Sequence, residues 1–133
     1  MNRAMNRARY AGLVLGALYE LARYEAINRL RGFGCIQQQL KQQSIVEKTV
    51  SQECERAICD AVLLATCLYW KPVLCLQRSV CAVRLLRRHG VVARLAIGYR
   101  SSPFFSHAWV EVDGRVVNGS PVYQTRLRLL YTV

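Results

Sequence analysis

Acidic residues, prolines and histidines are scarce in this 133-residue sequence, and no apolar stretch in it is long. Lys and Arg number 19 against 8 Asp and Glu, so the formal net charge is +11. Only 3 Pro and 8 Gly exclude collagen-like and low-complexity chains, and a hydrophobic content of 53% excludes intrinsic disorder. The longest apolar stretch, 11–22, contains Glu20 and is shorter than the ~18 residues that a membrane-spanning helix needs. We therefore expect one cytoplasmic domain, residues 1–133, with no membrane partner.

The six cysteines do not have the spacing of a metal site. From Cys54 to Cys81, successive cysteines are separated by five, eight, eight and six positions, whereas structural zinc sites use close Cys-x-x-Cys pairs. Most of them lie in or beside apolar, helix-like runs, where a free thiol packs as a small hydrophobic group. We expect no metal, no other cofactor and no disulfide framework.

The hydrophobic pattern predicts helices in the first part of the chain and strands in the last. The predicted helices are 11–31, a second from Ser51 that Pro72 stops, and a third that begins near Cys75 and ends at Gly90; a Gln-rich polar connection fills 35–49. The predicted strands are 91–99 and a hairpin over 107–118, followed by a strand or short helix over 122–131. Helices followed by an antiparallel sheet indicate an α+β fold.

Cys75 differs from the other cysteines because it stands at the start of the third predicted helix. A thiol at that position faces unpaired backbone N–H groups and the positive end of the helix dipole, which favour the thiolate. Arg78, one turn further along, adds positive charge. The same N–H groups could stabilise the oxyanion that forms when a carbonyl is attacked. Cys75 is therefore a candidate nucleophile, with an inert packed thiol as the alternative.

Of the two histidines, His107 is the candidate general base. His89 lies in an Arg-Arg-His-Gly helix end, where a cation at the C-terminus is a sufficient explanation. His107 opens a predicted strand, and alternation puts Trp109 and Glu111 on its face while Ala108 points to the core. A histidine beside a bulky aromatic on the polar face of a strand can accept a proton. An exposed strand histidine is the alternative.

Two segments together resemble a known enzyme family. They are Cys75-Leu-Gln-Arg-Ser-Val, continuing to Gly98, and Pro103-Phe-Phe-Ser-His-Ala-Trp-Val-Glu-Val, continuing to Asn118. They resemble the leader peptidases of lasso-peptide biosynthesis, which are transglutaminase-like cysteine proteases. The resemblance implies that Cys75 is the nucleophile and His107 its base, on a helix packed against a small antiparallel sheet. Trp70, Arg78 and Trp109 are the candidate substrate-binding residues.

The same resemblance implies a reaction and its partners. The substrate would be a ribosomally made precursor peptide, cleaved after a leader whose penultimate residue is usually Thr. A separate leader-recognition protein would present the precursor, and an ATP-dependent lasso cyclase would take the released core.

The third catalytic residue departs from the family pattern, because Gly119 stands at the position of the family's Asp. A three-residue hairpin turn would set position 119 opposite His107, where glycine cannot orient an imidazole. A two-residue turn would instead bring Asn118 onto the His107 face, and Cys-His-Asn arrangements are functional. Asp113 at the hairpin tip could take this role instead, or the enzyme could work as a plain Cys–His dyad or be impaired. We favour Asn118.

Two further functions are compatible with the sequence. The first is a non-enzymatic basic binding module, because the chain after Asp60 has ten Lys and Arg but only two acids. These charges are dispersed and form no nucleic-acid-binding motif, so we expect no nucleic-acid partner. The second is an acyltransferase that uses the same Cys75–His107 pair with an acceptor other than water.

Overall fold

The structure, a computed structural model, describes residues 6–133. Within that range the elements are α1 (Arg7–Arg31), α2 (Phe33–Gln42), α3 (Gln52–Leu68), α4 (Cys75–Arg88), β1 (Ala93–Ser101), β2 (Phe104–Val112), β3 (Arg115–Val116), α5 (Val122–Arg126) and β4 (Arg128–Thr132). The strands form one antiparallel sheet in the order β3-β2-β1-β4. The prediction of an α+β fold is confirmed.

The segment predicted as a polar connection contains a helix instead. Residues 33–42 form α2, and its Ile36 and Leu40 side chains are buried in the main core. These two residues are four positions apart and therefore lie on one helix face, while the glutamines between them occupy the other faces. Because the segment is rich in Gln, its narrow apolar stripe was not recognised as the signal of a helix.

The predicted starts of α3 and α4 agree with the structure. Ser51 caps α3, with its Oγ accepting a hydrogen bond from the Cys54 backbone N–H at 3.2 Å. The helix ends at Leu68, so that Pro72 lies in the connection to α4 and is not the residue that ends α3. Helix α4 begins at Cys75.

The sheet has a large apolar contact on one face and a small one on the other. Side chains of β1 and β2 such as Leu95 and Val110 are buried in the main core with α1, α3 and α4. On the opposite face, Ala96, Trp109 and Leu127 form a second cluster beneath α5. Both faces of β2 are therefore covered near its middle.

A buried ionic cluster joins α1 to α4. Glu20, only 1% exposed, forms ion pairs with Arg84 at 2.8 Å and with Arg88 at 3.0 Å. Arg87 is also buried and donates hydrogen bonds to the carbonyl oxygens of Leu40 and Ala93. Three arginines of α4 thus bond to α1, to α2 and to the start of β1.

Across the described range 6–133, none of the helices is both long and apolar enough to cross a membrane.

Candidate active site

Cys75 is the first residue of α4 and is partly buried. Leu74 is the N-cap residue, in an extended conformation, and no side chain caps the helix there. The first backbone N–H groups of a helix have no partner within the helix, so they face whatever lies beyond its start. Cys75 thus stands at an uncapped helix start, and the sequence predicted that helix start.

Helix α1 packs along the beginning of α4. The Gln77 side chain donates a buried hydrogen bond of 3.0 Å to the Leu21 carbonyl oxygen. Tyr24 lies one turn beyond Leu21, and burial raises the pKa of its phenol, as does negative charge on Cys75. Tyr24 is therefore a neighbour of the candidate nucleophile, and its place in an ordinary amphipathic helix gave no sign of this in the sequence.

The connection before Cys75 is anchored to Glu25 of α1. The Tyr69 hydroxyl donates a hydrogen bond to the Glu25 carboxylate, and Lys71 forms an ion pair with it. These two contacts, Lys71 first, hold the pKa of Glu25 below its usual value against the opposing effect of burial. Trp70 lies between the two anchors and is 73% exposed, with the Lys71 ammonium 5.2 Å from its ring centroid. The indole is thus a fixed, exposed surface shortly before Cys75.

His107 lies at an open edge of the sheet. β3 pairs only with the far end of β2, at Glu111 and Val112, so no described strand pairs with that edge of β2 at His107. Burial lowers the pKa of the His107 imidazole, and the nearby Arg78 cation lowers it further. Since both effects oppose protonation, they favour the neutral imidazole, which is the form that can accept a proton.

A serine of α4 connects the two candidate catalytic elements. The Ser79 hydroxyl, fully buried, donates a hydrogen bond of 3.2 Å to the carbonyl oxygen of Ala108, the residue after His107. Ser79 is one turn after Cys75, about 6 Å along the helix axis at 1.5 Å per residue. This contact places the β2 backbone next to His107 near the start of α4, while the imidazole itself lies on the other face of the sheet with Trp109. Within residues 6–133 no hydrogen bond joins the Cys75 thiol to the imidazole, and such bonds often form only with substrate bound.

The hairpin has the two-residue turn, so the three-residue turn considered for this sequence is wrong. Asp113 and Gly114 have φ values of 52° and 75°, which is the type I′ geometry, and Val112 pairs with Arg115. β3 ends at Val116, so this pairing does not extend to Gly119, which lies in a bend with a φ of 93°. The predicted cross-strand pairing of position 119 with His107 therefore does not form.

The Asn118 side chain bonds to Val110 and Ser79 instead of His107, which was its predicted partner. β3 ends at Val116, and the Asn118 side chain then replaces a main-chain partner: its Oδ1 accepts a hydrogen bond of 2.6 Å from the Val110 N–H. Its Nδ2 donates to the Ser79 hydroxyl at 3.2 Å. The amide therefore links α4 to β2, and among the described residues it forms no hydrogen bond with His107.

The remaining candidate residues have different surroundings. Trp109 is only 2% exposed and donates a hydrogen bond of 2.9 Å to Glu111, so the expectation that it contacts substrate does not fit its burial. Arg78, partly buried, lines a pocket of about 190 Å³ together with Asp60, Asn118 and other side chains of α3 and α4. Asp113 is an exposed residue of the hairpin turn.

Metal ligands are not gathered in the part of the chain described here. No group of three or more His, Cys, Asp or Glu residues between positions 6 and 133 could hold a metal ion, and the six cysteines there are unpaired. Burial, aided by nearby carboxylates, raises the pKa of Cys59 and of Cys81 to about 12. These two thiols are packing groups, whereas Cys75 lies at a helix start.

Comparison with known proteins adds an independent observation. The model of the family described as "Transglutaminase-like superfamily" matches residues 17–132. The microcin J25-processing protein McjB of Escherichia coli is 41% identical over 56 residues, which is 42% of this chain and 27% of that protein. The matched stretch thus spans about a quarter of the relative's length. No solved structure matches the chain significantly.

Proposed function

The chain belongs to the transglutaminase-like superfamily, and from this membership we propose that it is a cysteine endopeptidase that removes the leader from a lasso precursor peptide. The observation that carries the proposal is the 41% identity to a protein named for processing microcin J25. The resemblance of the Cys75 and His107 segments to lasso leader peptidases supports the same conclusion.

In the proposed reaction His107 first acts as a base. Its neutral imidazole takes the proton of the Cys75 thiol, and the sulfur attacks the carbonyl carbon of the scissile peptide bond. The N–H groups at the uncapped start of α4 stabilise the resulting oxyanion. The imidazolium then gives its proton to the leaving amine of the core peptide, and the leader remains as a thioester on Cys75. Water, deprotonated by His107, hydrolyses the thioester and restores the thiol.

The open edge of β2 is suited to an extended peptide. The carbonyls of Val110 and Ala108 point towards that edge, because they accept hydrogen bonds from the Val117 N–H and the Ser79 hydroxyl respectively. By the alternation of a strand, the N–H and C=O groups of Ser106 point the same way. A precursor segment that pairs with Ser106 would pass directly beside His107, which supports a polypeptide substrate.

Trp70 and Arg78 supply surfaces on the α4 side. Trp70 is exposed and anchored through its neighbours, so it can contact substrate with little loss of side-chain entropy. Arg78 lines the pocket beside α4 as a proposed substrate contact, and its cation also lowers the pKa of His107 after the larger effect of burial. We include the leader-recognition protein and the ATP-dependent cyclase as proposed partners, and a single domain over residues 1–133 as the proposed organisation.

The proposal is tested by incubating the protein with precursor peptide and recognition protein and by measuring leader release with mass spectrometry. Cys75→Ala and His107→Ala should each abolish release while their circular dichroism spectra stay unchanged. The matched controls are Cys67→Ala, an exposed thiol of α3, and His89→Ala, at the end of α4; both should retain activity. Release by Cys75→Ala at the unmodified rate would contradict the proposal. Transfer of the leader to an added amine without hydrolysis would indicate an acyltransferase.

A further inference from the structure

His107 has no carboxylate partner in the part of the chain that the structure describes. The family's acid position is Gly119, and the Asn118 amide is bonded to Val110 and Ser79. No ion pair or hydrogen bond joins an acidic side chain to His107 within residues 6–133. A carboxylate normally orients such an imidazole and stabilises its protonated form, so another group must supply the orientation here.

Three aromatic rings surround the imidazole. The Tyr123 ring lies closest, with its centroid 4.1 Å from that of His107 and a tilt of 33°. Phe105 and Trp109, the neighbours of His107 on the same face of β2, stack at 6.3 Å on its two sides. Tyr123 also stacks on Phe105 at 5.8 Å. We call Phe105, Trp109 and Tyr123 the aromatic cage.

The short helix that carries Tyr123 is anchored at the next residue. The Gln124 side-chain amide donates hydrogen bonds of 2.9 Å to the Glu111 carboxylate and to the Gly114 carbonyl oxygen. Glu111 accepts a further hydrogen bond from the Trp109 indole N–H. One carboxylate therefore fixes two members of the aromatic cage, and α5 is fastened to the hairpin that contains His107.

We propose that Tyr123 is a positioning residue that holds the His107 ring by packing, in place of the hydrogen bond that an acidic residue would make. The catalytic role of Tyr123 rests on the proposed function, whereas its ring contact with His107 does not depend on that function. Packing fixes the plane of a ring without supplying negative charge, so it orients the base and leaves it neutral. That agrees with the lowered pKa of His107, which burial causes in the first place.

The test compares Tyr123→Phe, which keeps the ring, with Tyr123→Leu and Tyr123→Ala, which remove it. We expect Tyr123→Phe to stay within about 3-fold of the unmodified kcat. The other two should lose about 100-fold in kcat with little change in KM, since a misplacement of about 1 Å can cost that much. Val122→Ala, an exposed neighbour on α5, is the control and should retain activity.

Imidazole NMR titration gives a readout that does not need cleavage. The chain has two histidines, so His89 serves as an internal reference. Removing the ring in Tyr123→Leu should expose His107 and raise its pKa towards the ordinary value, whereas Tyr123→Phe should leave it unchanged. The inference would be overturned if Tyr123→Leu left both the pKa of His107 and kcat unchanged. It would also be overturned if Tyr123→Phe lost as much kcat as Tyr123→Ala. If neither the unmodified protein nor any variant cleaves the precursor peptide, the proposed function fails. The NMR titration then decides by itself whether Tyr123 holds the His107 ring.

Discussion

Adding one methyl group at Gly98 should destabilise the protein by disturbing the packing beside His107. Gly98 is the cross-strand partner of His107, and the Trp109 indole lies directly over it. A Cβ atom at this position would lie 2.7 Å from Trp109 Cη2 and 2.9 Å from Leu127 Cβ, closer than carbon atoms approach in folded proteins. The indole must therefore move, which strains its hydrogen bond to Glu111.

The magnitude follows from two opposing contributions. Overpacking a core position costs about 1–3 kcal/mol. Replacing glycine by alanine restricts the unfolded chain and returns about 0.4–1 kcal/mol. We therefore expect Gly98→Ala to lower the free energy of unfolding by about 1–2 kcal/mol, measured by urea denaturation followed by circular dichroism.

The matched control is the same substitution where space is open. Gly12 lies within α1, and a Cβ atom there would meet nothing within 4 Å. Gly12→Ala should raise the free energy of unfolding by about 0.5–1 kcal/mol, because alanine favours the helix. The two variants should thus shift the urea midpoint in opposite directions. A Gly98→Ala midpoint at or above that of the unmodified protein would refute the packing described for Trp109.

Three further predictions concern charge and thiol chemistry. Glu20→Ala should lower the free energy of unfolding by about 3 kcal/mol in urea denaturation, because it leaves a buried arginine without its partner; an unchanged midpoint would count against the ionic cluster. Arg78→Gln should raise the pKa of His107, so that, as the pH falls, cleavage is lost at a higher pH than in the unmodified protein. An unchanged acidic limb of the pH profile would show that Arg78 does not lower the pKa of His107. Cys81, whose pKa burial raises to about 12, should resist iodoacetamide at pH 8 while the exposed Cys67 is alkylated, as peptide mass mapping can determine; equal labelling would contradict that burial.

Local sequence signals predicted the elements that carry the candidate site. Ser51 is a helix-capping residue, and Asp113-Gly114 between alternating apolar residues is a hairpin signal; each was found where expected. The helix start at Cys75 followed from its place just after Pro72 and just before an apolar run. These features depend on a few adjacent residues, and for that reason they can be read without knowledge of the fold.

Features that depend on distant packing were not predictable in the same way. Alternation placed Trp109 on a polar face, but α5 folds back over that face and buries it. The residues around Asn118 depend on whether the hairpin turn has two or three residues. Because β3 ends early, the Asn118 amide bonds to Ser79. Tyr123 gave no signal, since it is 16 positions from His107 in an unremarkable segment.

The most direct test of the central claim is to trap the leader on the enzyme. Acid quenching during turnover, followed by intact-mass measurement and peptide mapping, should find the leader attached as a thioester at Cys75 and sensitive to hydroxylamine. His107→Ala should prevent the adduct from forming, and Cys67→Ala should leave it unchanged. An adduct mapped to Cys67 or another cysteine, or leader release by Cys75→Ala at the unmodified rate, would contradict the account.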